Sequence, residues 1–186
     1  MRKYQVGFTI IELMVTLTVL AIVIAIAVPS FTGIIQRNTS VAIGEEFVTA
    51  LNFARVEALK RRSSVSLCPS NDDGTACGNN WSDGWIAFVD GATETADSVT
   101  VSEVLRVWND MNRNAEINVS RDNAAVNFIR FAGMGILAKV NGSTNPISAT
   151  AKQANCSGEA ARTITIGISG MVNSKAALCA EAEDEQ

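Results

Sequence analysis

Histidine is absent from this 186-residue sequence, and no recognisable catalytic motif takes its place. Histidine is the side chain most often used as a general base near neutral pH. The sequence also lacks a glycine-rich phosphate loop and a motif around a serine or cysteine nucleophile. These absences argue against an enzyme, so we expect neither catalytic residues nor a cofactor.

Basic residues are scarce relative to acidic ones. Fifteen Lys and Arg stand against nineteen Asp and Glu, which gives a net charge of −4. A protein that holds nucleic acid through its phosphates needs clustered Lys and Arg. The net negative charge therefore argues against non-specific electrostatic binding to DNA.

Metal-ligand patterns are also missing. The four cysteines form no C-x-x-C pair, and without histidine the usual zinc ligand sets are not available. The segment Asn71-Asp72-Asp73-Gly74 is similar in composition to an oxygen-rich calcium-binding loop. It lacks the spaced acids and the closing glutamate of a full site. We interpret it as a turn and expect no metal.

The most informative feature that is present is the N-terminal segment. A short basic head at residues 1–3 precedes Gly7, and Glu12 then stands just before sixteen residues without charge, 13–28. Pro29 closes this run. A carboxylate in a membrane helix costs roughly 2.5–3.5 kcal/mol on insertion scales, so Glu12 should have a partner.

A secretory signal peptide and an ordinary membrane anchor are the two alternatives for this segment. The apolar part of a signal peptide has roughly 7–15 residues before a small-x-small cleavage site, and the run here is longer. Residues 8–28 are long enough to span a bilayer, but an ordinary anchor does not explain Glu12. Because basic residues precede the run, its N-terminal end should stay in the cytoplasm and the rest of the chain should be exported.

The segment resembles the class III signal of type IV pilins. The matching positions are Gly7, Phe8, Thr9, Glu12 and Pro29. The resemblance implies that a dedicated peptidase cuts between Gly7 and Phe8, and that Phe8 becomes the N-methylated first residue. It also implies that Glu12 and Pro29 serve assembly. Glu12 would pair with the free amino group of a neighbouring subunit's Phe8, because leaving one buried charge alone is expensive.

This resemblance implies three parts of the chain. Residues 1–7 are a cleaved leader, 8–29 a transmembrane or filament-core helix, and 30–186 a globular pilin domain that includes the amphipathic half of the helix, 30–62. The implied partners are other minor and major pilin subunits, the prepilin peptidase and N-methylase, and the inner membrane before assembly. The implied location is a single pass through a bacterial inner membrane with a periplasmic C-terminal domain, and later the pilus or cell surface.

The remaining sequence predicts an α+β fold, in which the long helix packs on an antiparallel sheet as in the type IV pilin fold. An apolar stripe near the helical period continues past Pro29 to about residue 62; it is formed by Ile34, Val41, Ile43, Phe47, Leu51, Ala54, Ala58 and Leu59. Apolar or alternating runs predict strands at 65–67, 85–89, 104–108, 117–119, 126–131 and 163–168.

Between these strands the sequence predicts irregular segments. Residues 69–80 and 91–98 are predicted loops, and residues 141–155 a loop or hairpin. Gly170 should start a turn, and the acidic tail 181–186 should be mobile. In the strand predicted at 126–131, alternation places Val126 and Phe128 on a buried face.

Four cysteines lie in the part expected to be exported: Cys68, Cys77, Cys156 and Cys179. An even number in an oxidising compartment predicts disulfides, and four cysteines allow three pairings. We favour Cys68–Cys77 and Cys156–Cys179, because the members of each pair are close in sequence.

The globular part is similar to the GspH/FimT/FimU group of minor pilins and pseudopilins. Residues 81–90, WSDGWIAFVD, resemble that group's W-x-x-G-W-x-x-F-x-D stretch, and residues 131–135 resemble its F-x-x-x-G turn. Members thought to grip DNA carry a G-R-x-R turn, whereas Gly170-Met171-Val172-Asn173 has neither arginine. This departure favours a FimU-like protein. We interpret the bulky residues of the first stretch as core packing: Trp81, Trp85 and Phe88.

Three functions are compatible with the sequence. The favoured one is a minor type IV pilin that primes pilus assembly and sits at or near the filament tip. The second is a DNA-binding minor pilin for natural transformation, whose basic patch would come from Arg113, Arg121, Arg130, Lys139 and Lys175. The third is a minor pseudopilin of a type II secretion system, which gene neighbourhood would distinguish.

Overall fold

The computed structural model describes residues 8–109, 114–140 and 142–179, without the side chains of residues 28–30 and 32. The chain divides into two units, Met1–Ile35 and Gln36–Gln186. The predicted acidic tail lies outside the described residues.

The main helical element of the described residues is helix α1, Ile10–Arg61. It therefore continues through Pro29, as the apolar stripe predicted. Lys60 and Arg61 lie in its last turn, where positive charges interact favourably with the helix dipole and stabilise the helix. The helix ends where Arg62 takes a φ of 54°, a left-handed conformation that commonly terminates helices.

The globular unit contains two antiparallel sheets rather than one. The first has the order β3-β2-β1-β6 and consists of β1 (Val65–Pro69), β2 (Trp85–Asp90), β3 (Val101–Trp108) and β6 (Ile129–Phe131). The second has the order β5-β4-β7-β8-β9 and consists of β4 (Ala115–Arg121), β5 (Ala124–Ala125), β7 (Ile147–Gln153), β8 (Ala161–Ile166) and β9 (Val172–Ala177).

The core forms where the second half of α1 meets both sheets. Phe47, Leu51 and Ala54 are fully buried in one cluster with Leu67 of the first sheet and Ile164 of the second. The stripe predicted from the sequence thus faces the core over most of its length. Ile34 and Leu59 are exceptions, because 53% and 47% of their surfaces are exposed.

Strand β2 is buried on both faces, which explains its continuous apolar sequence. On one face, Trp85 meets Phe47 edge-to-face at a ring distance of 5.0 Å, and Phe47 meets Trp81 at 5.6 Å. On the other face, Phe88 joins a second cluster with Cys68 and Ile86. The interpretation of these three aromatic residues as core packing is therefore confirmed.

Two predictions about strands are corrected, and one strand was missed. The strand predicted at 126–131 is only Ile129–Phe131, and all three of its residues are buried, whereas Val126 and Phe128 are half-buried. The loop or hairpin predicted at 141–155 contains the seven-residue strand β7. The last strand, Val172–Ala177, was not predicted. Strands β7 and β9 are rich in small and polar residues and lack the large apolar side chains that mark a buried face.

Candidate functional site

The apolar half of α1 is the first candidate site. Its segment Ile10–Ala27 has a mean hydropathy of 2.7, and none of it is buried inside the structure. By length and composition this helix is apolar enough to cross a membrane. Soluble monomers rarely leave apolar side chains uncovered over so long a stretch, so this surface requires lipid or other apolar helices around it.

The two threonine side chains within this segment bond to the helix itself. Thr16 Oγ1 donates to the carbonyl oxygen of Leu13 at 2.9 Å, and Thr18 Oγ1 donates to that of Val15 at 2.8 Å. These hydroxyls therefore carry no unsatisfied hydrogen-bonding group into an apolar environment.

The start of the helix positions Glu12. The amide of Glu12 donates to Thr9 Oγ1 at 3.3 Å, and the amide of Leu13 donates to the carbonyl oxygen of Thr9 at 3.2 Å. Thr9 therefore acts as the N-cap, and Thr9-x-x-Glu12 has the spacing of a capping box. The side chain of Glu12 is exposed, and among the described residues no cation lies within ion-pair distance of it. The sequence analysis named Thr9 only as part of the pilin signal. The T-x-x-E spacing is also the signature of a helix N-cap, so the cap could have been predicted from the sequence.

The other predicted residues of this segment are less informative. Gly7 lies outside the described residues, and Phe8, the first described residue, is exposed. Pro29 lies within α1, and its side chain is not described. The cleavage of the Gly7–Phe8 bond and the roles of Glu12 and Pro29 in assembly remain predictions.

A buried ion pair organises the globular unit. Arg130 Nε donates to Asp90 Oδ2 at 2.8 Å, and both side chains are fully buried. Ser66 Oγ donates to the same carboxylate oxygen at 2.6 Å, while Oδ1 accepts the amides of Ala92 and Thr100, each at 3.0 Å. The carboxylate is thus fully hydrogen-bonded, which is what makes a buried charge tolerable.

The same arginine holds the loop between β2 and β3. Arg130 Nη1 donates to the carbonyl oxygen of Ala96 and Nη2 to that of Ser98, each at 2.7 Å. Its guanidinium also lies 4.9 Å from the centre of the Phe128 ring. Asp90 is the last residue of the W-x-x-G-W-x-x-F-x-D stretch, but the sequence analysis assigned a role only to the aromatic residues of that stretch. No sequence pattern identified Arg130, which follows 40 residues later, as the partner of Asp90.

The predicted basic patch is not a common surface. Arg130 is buried, and 8% of the surface of Arg121 is exposed, whereas Lys139 and Lys175 are exposed. Arg113 lies outside the described residues. Because phosphate contacts need accessible cations, Arg130 cannot contribute to a DNA-binding patch.

The turn that lacks both arginines is packed against the helix. Gly170 has a φ of +74°, and a Cβ placed on it would lie 2.1 Å from the carbonyl oxygen of Gly135. Arg55 Nε donates to that oxygen at 2.9 Å. The side chains of Met171 and Asn173, which follow Gly170, are exposed.

The cysteines form two disulfides in the structure. They join Cys68 to Cys77, 9 residues apart, and Cys156 to Cys179, 23 residues apart. The first closes the loop between β1 and the short 3₁₀ helix Trp81–Asp83, and the second ties the segment after β9 to the segment before β8.

The acidic segment after β1 has the geometry of a turn. Asn71 Oδ1 accepts the amides of Thr75 and Ala76 at 2.9 and 3.1 Å. An Asx side chain that bonds amides a few residues onward stabilises a turn and leaves its oxygen occupied. Within the described ranges no group of three or more acidic or cysteine side chains is arranged to hold a metal ion.

Comparison with known proteins gives matches over most of the chain. Residues 2–28 match the prokaryotic N-terminal methylation motif, and residues 44–170 match the family described as type II transport protein GspH. No curated protein matches the sequence.

Two similar solved structures are crystal forms of the type IV minor pilin FimU from Pseudomonas aeruginosa PAO1. The form in space group P21 is 20% identical, with a TM-score of 0.57, and the match covers 76% of this chain and 94% of that one. The form in space group P65 is 19% identical, with a TM-score of 0.54, and covers 73% and 95%. At this identity the likeness shows a shared fold.

Proposed function

The chain belongs to the GspH family of minor type IV pilins and pseudopilins, and from this premise we propose that it is a minor type IV pilin that primes pilus assembly and sits at or near the filament tip. The family is one of structural pilins rather than of enzymes. In this role the chain acts by contacting other pilin subunits at the start of filament assembly.

The uncovered apolar helix is the observation that carries this proposal. The segment Ile10–Ala27 suits a bilayer before assembly and a bundle of similar helices afterwards, because both environments are apolar. A permanent anchor would need only the first environment. Transfer from lipid to a filament core changes the burial of apolar surface little, so specific polar contacts decide when and where transfer occurs.

We assign to Glu12 the polar contact that controls transfer of the helix from the membrane to the filament. Cleavage after Gly7 creates a free amino group on Phe8, and in a filament the amino group of a neighbouring subunit would neutralise the Glu12 carboxylate. The N-cap on Thr9 fixes Glu12 in the first turn of the helix. In lipid the carboxylate is unpaired, which disfavours the membrane state, although by less than the roughly 2.5–3.5 kcal/mol of a charge at the centre of a membrane helix. The pair thus selects one register of stacked helices.

Two features support the tip and priming role over DNA uptake. The turn Gly170–Asn173 has no arginine, and Arg130 is used inside the core. What remains at that end of α1 is an exposed surface with Met134, Ile168 and Met171. Such a surface suits contact with another protein better than contact with phosphates.

A complementation experiment tests the assembly role. A strain lacking the gene should regain surface pili with the wild-type chain and not with Glu12→Ala, although mass spectrometry should find the variant cleaved and N-methylated at Phe8. Thr16→Ala, on the same helix, is the matched control and should restore pili. Normal pilus numbers with Glu12→Ala would contradict the proposal.

Labelling tests the position in the filament. Gold-labelled antibody against an epitope tag added after Gln186 should mark filament ends. Labelling along the whole length would contradict the tip location and indicate a shaft subunit.

The family description also favours a second candidate, a minor pseudopilin of a type II secretion system. The same strain distinguishes the two functions. Loss of protein secretion with normal pili would support the pseudopilin, and loss of pili with normal secretion would support the pilin. Titration of the full chain with labelled duplex DNA at low and physiological salt tests the DNA-binding alternative, for which tight, steeply salt-dependent binding is required.

A further inference from the structure

A cleft of about 620 Å³ lies on the outer face of the second sheet. Its floor is formed by β4 and β7, where Asn118 stands opposite Thr150. Ser120 and Ser148 stand opposite each other in the same way. Because strand side chains alternate and residues between these positions, such as Ile117, face the core, the four polar side chains project outward. The floor is therefore a polar surface on the side of the sheet away from the core.

The lining of this cleft is largely polar and uncharged. Half of it is asparagine, serine or threonine, and among the described lining residues only Arg121 and Asp122 are charged. Nε and Nη2 of Arg121 are buried, so they cannot contact a ligand in the cleft. Both oxygens of Asp122 accept hydrogen bonds, from Ser143 and Asn145. Because Asp122 is exposed and negatively charged, it repels an anion, and the lining as a whole favours an uncharged ligand.

Most of the polar side chains of the cleft have no partner within the protein. The side chains that make no hydrogen bond to any described residue are those of Asn79, Asn118, Ser120, Asn127, Ser148 and Thr150. Asparagine commonly stabilises a turn, as Asn71 does after β1. Asn118 instead lies in the middle of β4, where asparagine is disfavoured. Local structure therefore gives no reason for its amide, which lines the cleft.

The backbone of β4 beside the cleft is already used. Ser82 Oγ accepts the amide of Ile117 at 3.0 Å, and the carbonyl oxygen of Val119 accepts the amide of Val126 at 2.9 Å. A peptide that binds as an added strand needs such groups on a free strand edge. What the cleft offers a ligand is therefore side-chain amides and hydroxyls.

We propose that this cleft binds a neutral oligosaccharide. Sugar hydroxyls and N-acetyl groups donate and accept hydrogen bonds, as the side chains of the cleft do. The C–H faces of the sugar rings pack against apolar lining residues such as Val126 and Pro146. An apolar ligand would instead leave the polar floor covered without partners, which costs free energy. The volume of the cleft lies within the range of ligand pockets, roughly 300–1,000 Å³.

Two kinds of sugar share this chemistry: those with hydroxyl groups alone and those that also carry N-acetyl groups. Maltotriose is a probe of the first kind, and triacetylchitotriose is a probe of the second. Glucose tests whether one ring is enough, trigalacturonate supplies a negatively charged trisaccharide, and a neutral tetrapeptide with blocked ends tests a peptide ligand.

NMR titration of the isotope-labelled full chain tests the proposal, in micelles of a detergent without sugar groups. We expect at least one neutral trisaccharide to give saturable shifts of the side-chain amide signals of Asn79, Asn118 and Asn127. It should bind at least tenfold more tightly than glucose, which makes fewer hydrogen bonds, and than trigalacturonate, which Asp122 repels. Shifts with maltotriose would show that hydroxyl groups suffice, and shifts with triacetylchitotriose alone would identify an N-acetylated sugar.

Variants separate binding in the cleft from binding to the surface in general. Asn118→Thr and Thr150→Val should each weaken binding of the trisaccharide about tenfold, because each leaves a sugar group without its partner. Their melting temperatures should equal or exceed that of the wild type, since β-branched residues suit a strand. Asn173→Thr is the matched control. It makes the same change at an exposed position of β9 in the same sheet, outside the cleft, and should bind as the wild type does.

Four results would overturn the proposal. The first is no saturable shift with either neutral trisaccharide, which would show a surface that binds only water. The second is equal affinity for trigalacturonate or the tetrapeptide. The third is equal weakening by Asn173→Thr. The last is unchanged affinity of Thr150→Val, which decides the question even if Asn118→Thr lowers the melting temperature, because valine keeps the shape of threonine and removes only its hydroxyl.

Discussion

Arg55 on helix α1 donates a hydrogen bond from Nε to the carbonyl oxygen of Gly135, at 2.9 Å. Its Nη2 donates to the carbonyl oxygen of Ser169 at 3.0 Å. One side chain of the helix therefore holds two turns, and Gly170 closes the contact between them because its Cα faces the same Gly135 oxygen. The position at which relatives thought to bind DNA carry their arginine turn is thus a packing junction in this chain.

Gly170→Ala should destabilise the globular unit strongly. Its φ of +74° is strained for alanine, and the new Cβ would lie 2.1 Å from a backbone oxygen, so the turn must move. We expect a loss of roughly 2–4 kcal/mol in the free energy of unfolding, measured by denaturant titration of tryptophan fluorescence. Gly142→Ala is the matched control, with the same φ of +74° and open space around it. It should lose about 1 kcal/mol, from backbone strain alone; equal losses in the two variants would show that the contact at Gly170 is unimportant.

Arg130→Met should be among the most destabilising substitutions of the chain. It leaves the Asp90 carboxylate buried without its cation, and breaking such a pair costs roughly 3–5 kcal/mol. It also releases the carbonyl oxygens of Ala96 and Ser98. A Glu-specific protease should therefore cleave the variant at Glu94 faster than the wild type.

Arg61→Met is the control for this prediction. Arg61 pairs with Glu57 and Glu103 at the surface, where solvent screening leaves ion pairs with little effect on stability. The control should lose little stability and keep its resistance to the protease. Similar losses in both variants would contradict a special role for the buried pair.

The sequence was most informative where one physical pattern dominates a long segment. The helix was predicted to within a residue or two of its ends, because the apolar run and the stripe that follows both continue for many turns. Strand β2 was predicted because residues 85–89 form a continuous apolar run. In these segments, local preference and burial point to the same structure.

The missed strands show where this reasoning fails. In β7, the inward positions include Ala149 and Ala151, which are both buried. Ala149 lies opposite Ile164 of β8, and Ala151 lies opposite Ile117 of β4. Alanine contributes little to a hydrophobic pattern, so the strand resembles a polar loop until its neighbours are known. The role of Arg130 was hidden for a related reason. Its partner and the carbonyl oxygens that it binds come from other segments, and no local pattern distinguishes a buried arginine from an exposed one.

The charge of Asp122 should depend on two neutral neighbours. Hydrogen bonds from Ser143 and Asn145 lower the pKa of this carboxyl below its ordinary value of 3.8. A lowered pKa in the folded state contributes stability that is fully present above the ordinary value and is lost as the pH falls through the lowered value. NMR titration of the Asp122 carboxyl carbon should give a pKa below 3.8 in the wild type and a higher one in Ser143→Ala. The same midpoint in both proteins would contradict this assignment.

The disulfide between Cys156 and Cys179 should stabilise the globular unit mainly by restricting the unfolded chain. For a loop of 23 residues, chain entropy predicts a contribution of about 3.4 kcal/mol. The double variant Cys156→Ala/Cys179→Ala should lose about this amount in chemical unfolding. Its m-value should rise, because an unfolded chain without the link exposes more surface.

The near-ultraviolet circular dichroism of the folded double variant tests that mechanism. Its tryptophan bands, to which the disulfide itself contributes little, should match those of the wild type, because β9 remains paired with β8 along its whole length from Ala161↔Ala177 to Ile166↔Val172. Changed tryptophan bands together with an unchanged m-value would show that the disulfide acts on the folded state instead. Adding reductant to the double variant should then report on Cys68–Cys77 alone, for which the shorter separation of 9 residues predicts a smaller entropic contribution, about 2.6 kcal/mol.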